Sequence, residues 1–116
     1  MDSRILMDAG IDAESALNRM MGSEALLERL FRRFLEDGNF SALSAAIEAG
    51  DREGALTASH TLKGMCGNLS MDRLYSLFSG QVDLMRAGDW EEAVNMMPQI
   101  REAYEDAVSA VKRCLE

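Results

Sequence analysis

The sequence predicts an all-α fold, an antiparallel up-down four-helix bundle with an additional short N-terminal helix and a kinked or broken last helix. Three observations carry this. Apolar residues recur at spacings of three and four along most of the chain, the period of a helix with one buried face. No run of β-branched residues alternates with polar ones, so strand signals are absent. A glycine is followed by a good helix-capping residue at Gly22-Ser23, Gly38-Asn39, Gly50-Asp51 and Gly88-Asp89. Glycine ends a helix in the left-handed conformation, and Ser, Asn or Asp starts the next by accepting a bond from a free backbone N–H.

The elements follow from this punctuation. Gly10-Ile11-Asp12 starts a short helix from about Asp12 to Met21, with Ala16, Leu17, Met20 and Met21 on its apolar side. The second runs from Ser23 to about Asp37 and carries Leu26, Leu27, Leu30, Phe31, Phe34 and Leu35. The third, Phe40 to Ala49, offers Phe40, Leu43, Ala46 and Ile47. The fourth spans Asp51 to about Leu69. The fifth, about Met71 to Ala87, shows Leu74, Leu77, Phe78, Leu84 and Met85. The last starts at Asp89, with Glu92 in capping-box position, and continues through Ile100, Tyr104, Ala107, Val108, Val111 and Leu115. Pro98 removes one backbone bond in it and clashes with the preceding turn, which predicts a kink or break near Met97. Short connections make successive helices antiparallel. Residues 1–8 are expected to be a frayed end of a single domain that spans 1–116.

Composition bounds the function. A chain of 116 residues supports one modest core, and 47% hydrophobic with 28% charged residues is ordinary for a globular domain. The net charge of −8 argues against nucleic acid and anionic membranes, which are bound through Lys and Arg, and fits a solubility role. No apolar run approaches the ~20 residues that cross a bilayer. The N-terminus has no basic start before a long apolar stretch, so no signal peptide is read and a cytoplasmic location is expected. Cys66 and Cys114 sit in helical patterns among apolar neighbours and read as reduced thiols rather than a disulfide.

The chemistry centres on the only histidine, in Ser59-His60-Thr61-Leu62-Lys63-Gly64-Met65-Cys66-Gly67. On a helix, His60 shares a stripe with Leu56, Lys63, Gly64 and Gly67. Ala55, Ala58, Leu62, Met65, Cys66 and Leu69 form the opposite, core-facing stripe. The imidazole therefore points outward with a cation one turn on. Each interior glycine costs about 1 kcal/mol relative to alanine. Two of them on the histidine's face imply that something approaches the ring closely. Imidazole is a nucleophile near neutral pH and can hold a phosphoryl group on nitrogen.

This stretch resembles the histidine-containing phosphotransfer (HPt) family of two-component phosphorelays, whose signature is a histidine with lysine and glycine three and four residues on. The likeness extends from about Gly10 to the C-terminus in the order and lengths of the helices. Family members often have glycine where this chain has Ser70, so the turn there is expected to differ in detail. The resemblance implies a phosphocarrier. His60 would accept a phosphoryl group from an aspartyl phosphate on one receiver domain and pass it to another, with Lys63 stabilising the transferred oxygens. Leu56, Gly64 and Gly67 would line the docking face.

HPt domains often carry a glutamine on the facing helix that orients the ring. Gln81 lies at similar height to His60 and is the candidate, although a gap-free count places the family's position on Val82. No cofactor is expected, the Mg²⁺ belonging to the receiver. Receiver domains of response regulators, and a hybrid sensor kinase, are the expected partners of a monomeric chain.

Other chemistries find little support. One histidine and two distant cysteines make no metal cluster, and no Gly-rich phosphate loop follows a strand. Neither a Ser-His-acid nor a Cys-His arrangement is present, and no kinase or ATPase activity is expected. The nine methionines read as core filler; Met20, Met21 and Met65 would add an adaptable docking surface if exposed. The rival is a helical interaction module that keeps the bundle without phosphotransfer.

Overall fold

In the computed structural model, which describes residues 1–116, the chain is entirely helical. Eight segments follow one another: α1 (Ser3–Asp8), α2 (Ala13–Arg19), α3 (Glu24–Glu36), α4 (Asn39–Ala49), α5 (Arg52–Asn68), α6 (Asp72–Arg86), α7 (Trp90–Asn95) and α8 (Met97–Leu115). The body measures 40 × 22 × 21 Å, and its long axis accommodates a helix of α5's length lying parallel to it. α5 is central, packed between α4 and α6; α6 also touches α7 and α8, and α8 closes the bundle against α3 and α1. Only Asp37 and Gly38 separate α3 from α4, yet the two divide their partners: α4 lies on α5, and α3 lies on α8 and α2.

The expected N-caps are present at Ser23 and Asp51, whose side chains accept from the N–H of Leu26 and Gly54. Two others differ. At the third junction Asn39 is already helical, and Asp37 caps it by accepting from its backbone N–H at 3.0 Å. At Asp89 no side-chain cap bond forms, so the capping box with Glu92 is not made. The last helix is broken rather than bent: α7 ends at Asn95, Met96 links, and Pro98 sits in the first turn of α8. A proline is tolerated there because the first turn's N–H groups have no intrahelical acceptor.

The frayed N-terminus is corrected. Residues Ser3–Asp8 form α1, capped by Asp2, with Leu6 fully buried against the core and α8 alongside. Leu6 does not act alone: Ile5 packs against the core beside it, and Ala9 and Ile11 are buried just past the end of the helix.

The core runs the length of the bundle through Leu27, Phe31, Phe34, Leu43, Leu62, Cys66, Leu74, Phe78 and Ile100. Tyr104 stacks on Phe40 at 4.2 Å and tilts against Phe34 at 5.4 Å, joining α3, α4 and α8. Both cysteines are free. Burial pushes the Cys66 thiol up to about 12, with a smaller contribution from the Asp37 carboxylate.

The α5–α6 turn does contain the left-handed residue that glycine would suit: Ser70 has φ +53°. Its hydroxyl is used instead. Ser70 is buried, its Oγ donates to Ser15 Oγ at 2.9 Å and accepts from Arg19 Nε at 3.1 Å, and its carbonyl accepts from Asp12 N. These bonds tie α2 to the turn and offset the roughly 1 kcal/mol cost of a left-handed non-glycine residue.

Candidate functional site

α5 presents its core stripe as the spacing predicts. Ala55, Ala58, Leu62, Cys66 and Leu69 are buried, and Met65 is half-buried against them. His60, at the middle of the helix, is consequently exposed, and no protein group hydrogen-bonds its ring. Thr61 beside it turns back to donate to the Thr57 carbonyl at 2.9 Å. Leu56 and Lys63 flank the histidine on the same face, each half-buried. The spacing thus brings Leu56, His60, Lys63 and Gly64 to one surface.

The two glycines differ. A Cβ on Gly64 would meet nothing within 4 Å, so the surface beside His60 is open there. A Cβ on Gly67 would meet the Tyr75 ring at 2.8 and 2.9 Å. The bare surface expected at Gly67 is therefore corrected: its missing side chain makes room for an aromatic ring of α6. The same ring lies 5.9 Å from Lys63 Nζ, a cation–π distance, and remains 41% exposed. Tyr75 is thus a member of this face that sequence reasoning passed over. Its signal was available, as a large aromatic outside the apolar stripe of α6 and close in sequence to a small residue across a tight turn.

The expected bond from Gln81 to the imidazole does not form. Gln81 is fully buried. Its Oε1 accepts from Ser59 Oγ at 2.8 Å, and its Nε2 donates to the Ala93 carbonyl at 3.0 Å and lies 3.2 Å from Met97 Sδ. The reason is angular. Gln81 shares the inward stripe of α6 with Leu74 and Phe78, so it meets the inward side of α5. That side is Ser59; His60 stands about 100° further round. Gln81 is a buried strut joining α5, α6 and α7, and Val82, the gap-free alternative, is buried and apolar. Of the methionines, Met21 is 95% exposed, whereas Met20 lies in the core.

No group of three or more His, Cys, Asp and Glu residues could hold a metal ion. No helix is long and apolar enough to cross a membrane. A surface cavity lined by Arg52, Asp89, Trp90 and Glu91 among others lies at the α6–α7 turn and does not include His60.

An exposed histidine midway along the central helix of an all-α bundle, with a lysine one turn on and an open glycine beside it, is the arrangement of a phosphotransfer bundle. Comparison with protein families agrees: the Hpt domain model matches residues 25–110, and the chain belongs to that family. Hpt domains serve histidine phosphotransfer in two-component systems, as carriers rather than kinases, with receiver domains as partners. Comparison with curated proteins and with solved structures finds no match.

Proposed function

We propose that this chain is a phosphocarrier in which His60 takes a phosphoryl group from the aspartyl phosphate of one receiver domain and delivers it to another. The observation that carries this is the single histidine, exposed beside Gly64, where a Cβ would meet nothing within 4 Å. A reacting aspartyl phosphate has to come within bonding distance of an imidazole nitrogen, and a helix surface without a side chain there permits it.

The chemistry is an in-line displacement. A lone pair of the ring attacks phosphorus, the N–P bond forms, the P–O bond to the aspartate breaks, and the carboxylate leaves with the electron pair. Delivery to the next receiver reverses these roles. The Lys63 ammonium leaves the Tyr75 ring to meet the phosphoryl oxygens, because a dianion attracts it more strongly than a ring quadrupole does. Leu56, Gly64 and the exposed part of Tyr75 form the receiver's landing surface, while Gly67 shapes it through Tyr75. Mg²⁺ is supplied by the receiver, so the chain brings no cofactor of its own. It acts in the cytoplasm as a monomer, fed by a receiver domain such as that of a hybrid sensor kinase.

The test is incubation with a phosphorylated receiver domain. The predicted product is acid-labile and alkali-stable, as a phosphoramidate is, and is lost in His60→Gln. A folded chain that takes up no phosphoryl group from any receiver domain would instead be an interaction module.

A further inference from the structure

Lys63 sits between two places its ammonium can go. His60 lies three residues before it and Gly67 four residues after it, about 4.5 and 6 Å away along the helix axis. A long helical side chain leans toward the N-terminus of its helix, which here means toward His60. The ammonium is instead drawn to the Tyr75 ring. Nζ lies 5.9 Å from the ring centroid, and the edge of that ring stands over Gly67, where a Cβ would meet it at 2.8 Å. No carboxylate holds Lys63: the two ion pairs join the N-terminal amine to Glu24 and Arg73 to Asp106. The ring is therefore the partner of this cation, and its seat exists only because residue 67 has no side chain. The helix gives up propensity to provide it.

We propose that Tyr75 sets the phosphoryl affinity of His60 by competing with the phosphorylated imidazole for Lys63. This rests on the reading of His60 as phosphoacceptor. Before transfer the ammonium has its cation–π contact. On uptake the N–P bond forms, the P–O bond to the receiver's aspartate breaks, and the carboxylate leaves with the electron pair. The phosphoryl oxygens then draw Lys63 off the ring, and no proton moves in that exchange. The ring contact is present before transfer and lost after it, so it weakens the hold of His60 on the group and favours delivery. Tyr75 touches no reacting atom; it is a positioning residue that acts through Lys63.

The test is the ratio of forward to reverse single-turnover rates between a receiver domain and the chain, both taken well below saturation. That ratio is the transfer equilibrium. It is blind to how well the two proteins dock, because a change in the landing surface alters both directions equally. Tyr75→Leu should raise it toward the phosphorylated chain about two- to fivefold, the worth of an exposed cation–π contact. Tyr75→Phe, which keeps the ring, should leave it at the parent value. In a Lys63→Ala background Tyr75→Leu should change nothing. Proton NMR reports the contact itself. The Lys63 ε-methylene should be shifted upfield by the ring current in the parent, lose that shift on phosphorylation, and lack it in Tyr75→Leu.

An unchanged ratio in a folded Tyr75→Leu chain would overturn the proposal. So would an equal change with and without Lys63, which would make the ring a packing element only. A parent whose Lys63 signal ignores phosphorylation would overturn it as well, even if Tyr75→Leu did not fold. Each of these leaves His60 as phosphoacceptor. A parent that takes up no phosphoryl group from any receiver domain would instead sink that reading, and this proposal with it.

Discussion

Gly64 and Gly67 lie three residues apart on one helix face, and the structure gives the same substitution opposite consequences at the two. At Gly64 a new Cβ meets nothing within 4 Å. Gly64→Ala or Gly64→Gln therefore gains helix propensity without a clash, about 1 kcal/mol or slightly less, which for a domain of this size raises the melting temperature by about 3–6 °C. At Gly67 the new Cβ stands 2.8 Å from the Tyr75 ring. Overpacking of this kind costs about 1–3 kcal/mol. The ring is 41% exposed and can swing outward, which favours the low end. After the propensity gain, Gly67→Ala should be neutral to about 2 kcal/mol less stable.

The functional effects of the two also differ. Gln at 64 places its bulk where the receiver must come in. An interface overpacked by about 1–3 kcal/mol loses roughly five- to hundredfold in transfer rate. The assays are thermal melts and single-turnover transfer from a phosphorylated receiver domain. If Gly64→Gln is both more stable and as fast as the parent with several receivers, nothing approaches that surface closely. If Gly67→Ala is as stable as Gly64→Ala, the ring is not seated on Gly67.

Other outcomes follow from the same geometry. Lys63→Ala should still accept a phosphoryl group but transfer about 5- to 30-fold more slowly, with partial recovery in Lys63→Arg, since charge matters here more than shape. A parent-like rate in single-turnover transfer would make Lys63 an ordinary solvated lysine. Gln81→Leu strands the Ser59 hydroxyl in the core, while the Ala93 carbonyl keeps its bond from Met96 N, so chemical denaturation should report a loss of about 1–3 kcal/mol; an unchanged midpoint would mean the amide is not a strut. Cys66, buried and held neutral up to about 12, should resist thiol reagents in the native state while half-buried Cys114 reacts. The folded thiol keeps its proton where the unfolded one has lost it, so Cys66 makes stability fall as pH rises between about 9 and 12. Its limiting slope is about 1.4 kcal/mol per pH unit, and Cys66→Ala should flatten that alkaline limb.

Helical periodicity and the glycine punctuation carried the bundle, because both are local. The core face of α5 could be counted off from Ala55 to Leu69, and the outward geometry of His60 followed as its complement. What escaped depended on contacts between helices. Nothing in the first eight residues announces that Leu6 finds a buried slot beside α8. Gln81 was found as a polar residue in an apolar stripe, but its partner was set by angle rather than height, and the angle selected Ser59 over His60. Gly67 carried a real signal of close approach, but the approaching group was Tyr75 of the same chain. Ser70 adopts the left-handed turn a glycine would, and the compensation lies in Ser15 and Arg19, more than fifty residues away.

The most direct test of the phosphocarrier account is single-turnover phosphoryl transfer from a phosphorylated receiver domain to the parent chain and to His60→Gln in parallel. The account predicts one acid-labile, alkali-stable phosphoryl group on the parent and none on the variant. The variant should keep the parent's melting temperature, because an exposed side chain changes stability by no more than about 0.5 kcal/mol. Uptake that persists in a folded His60→Gln protein, or no uptake by the parent from any receiver domain tried, would contradict it.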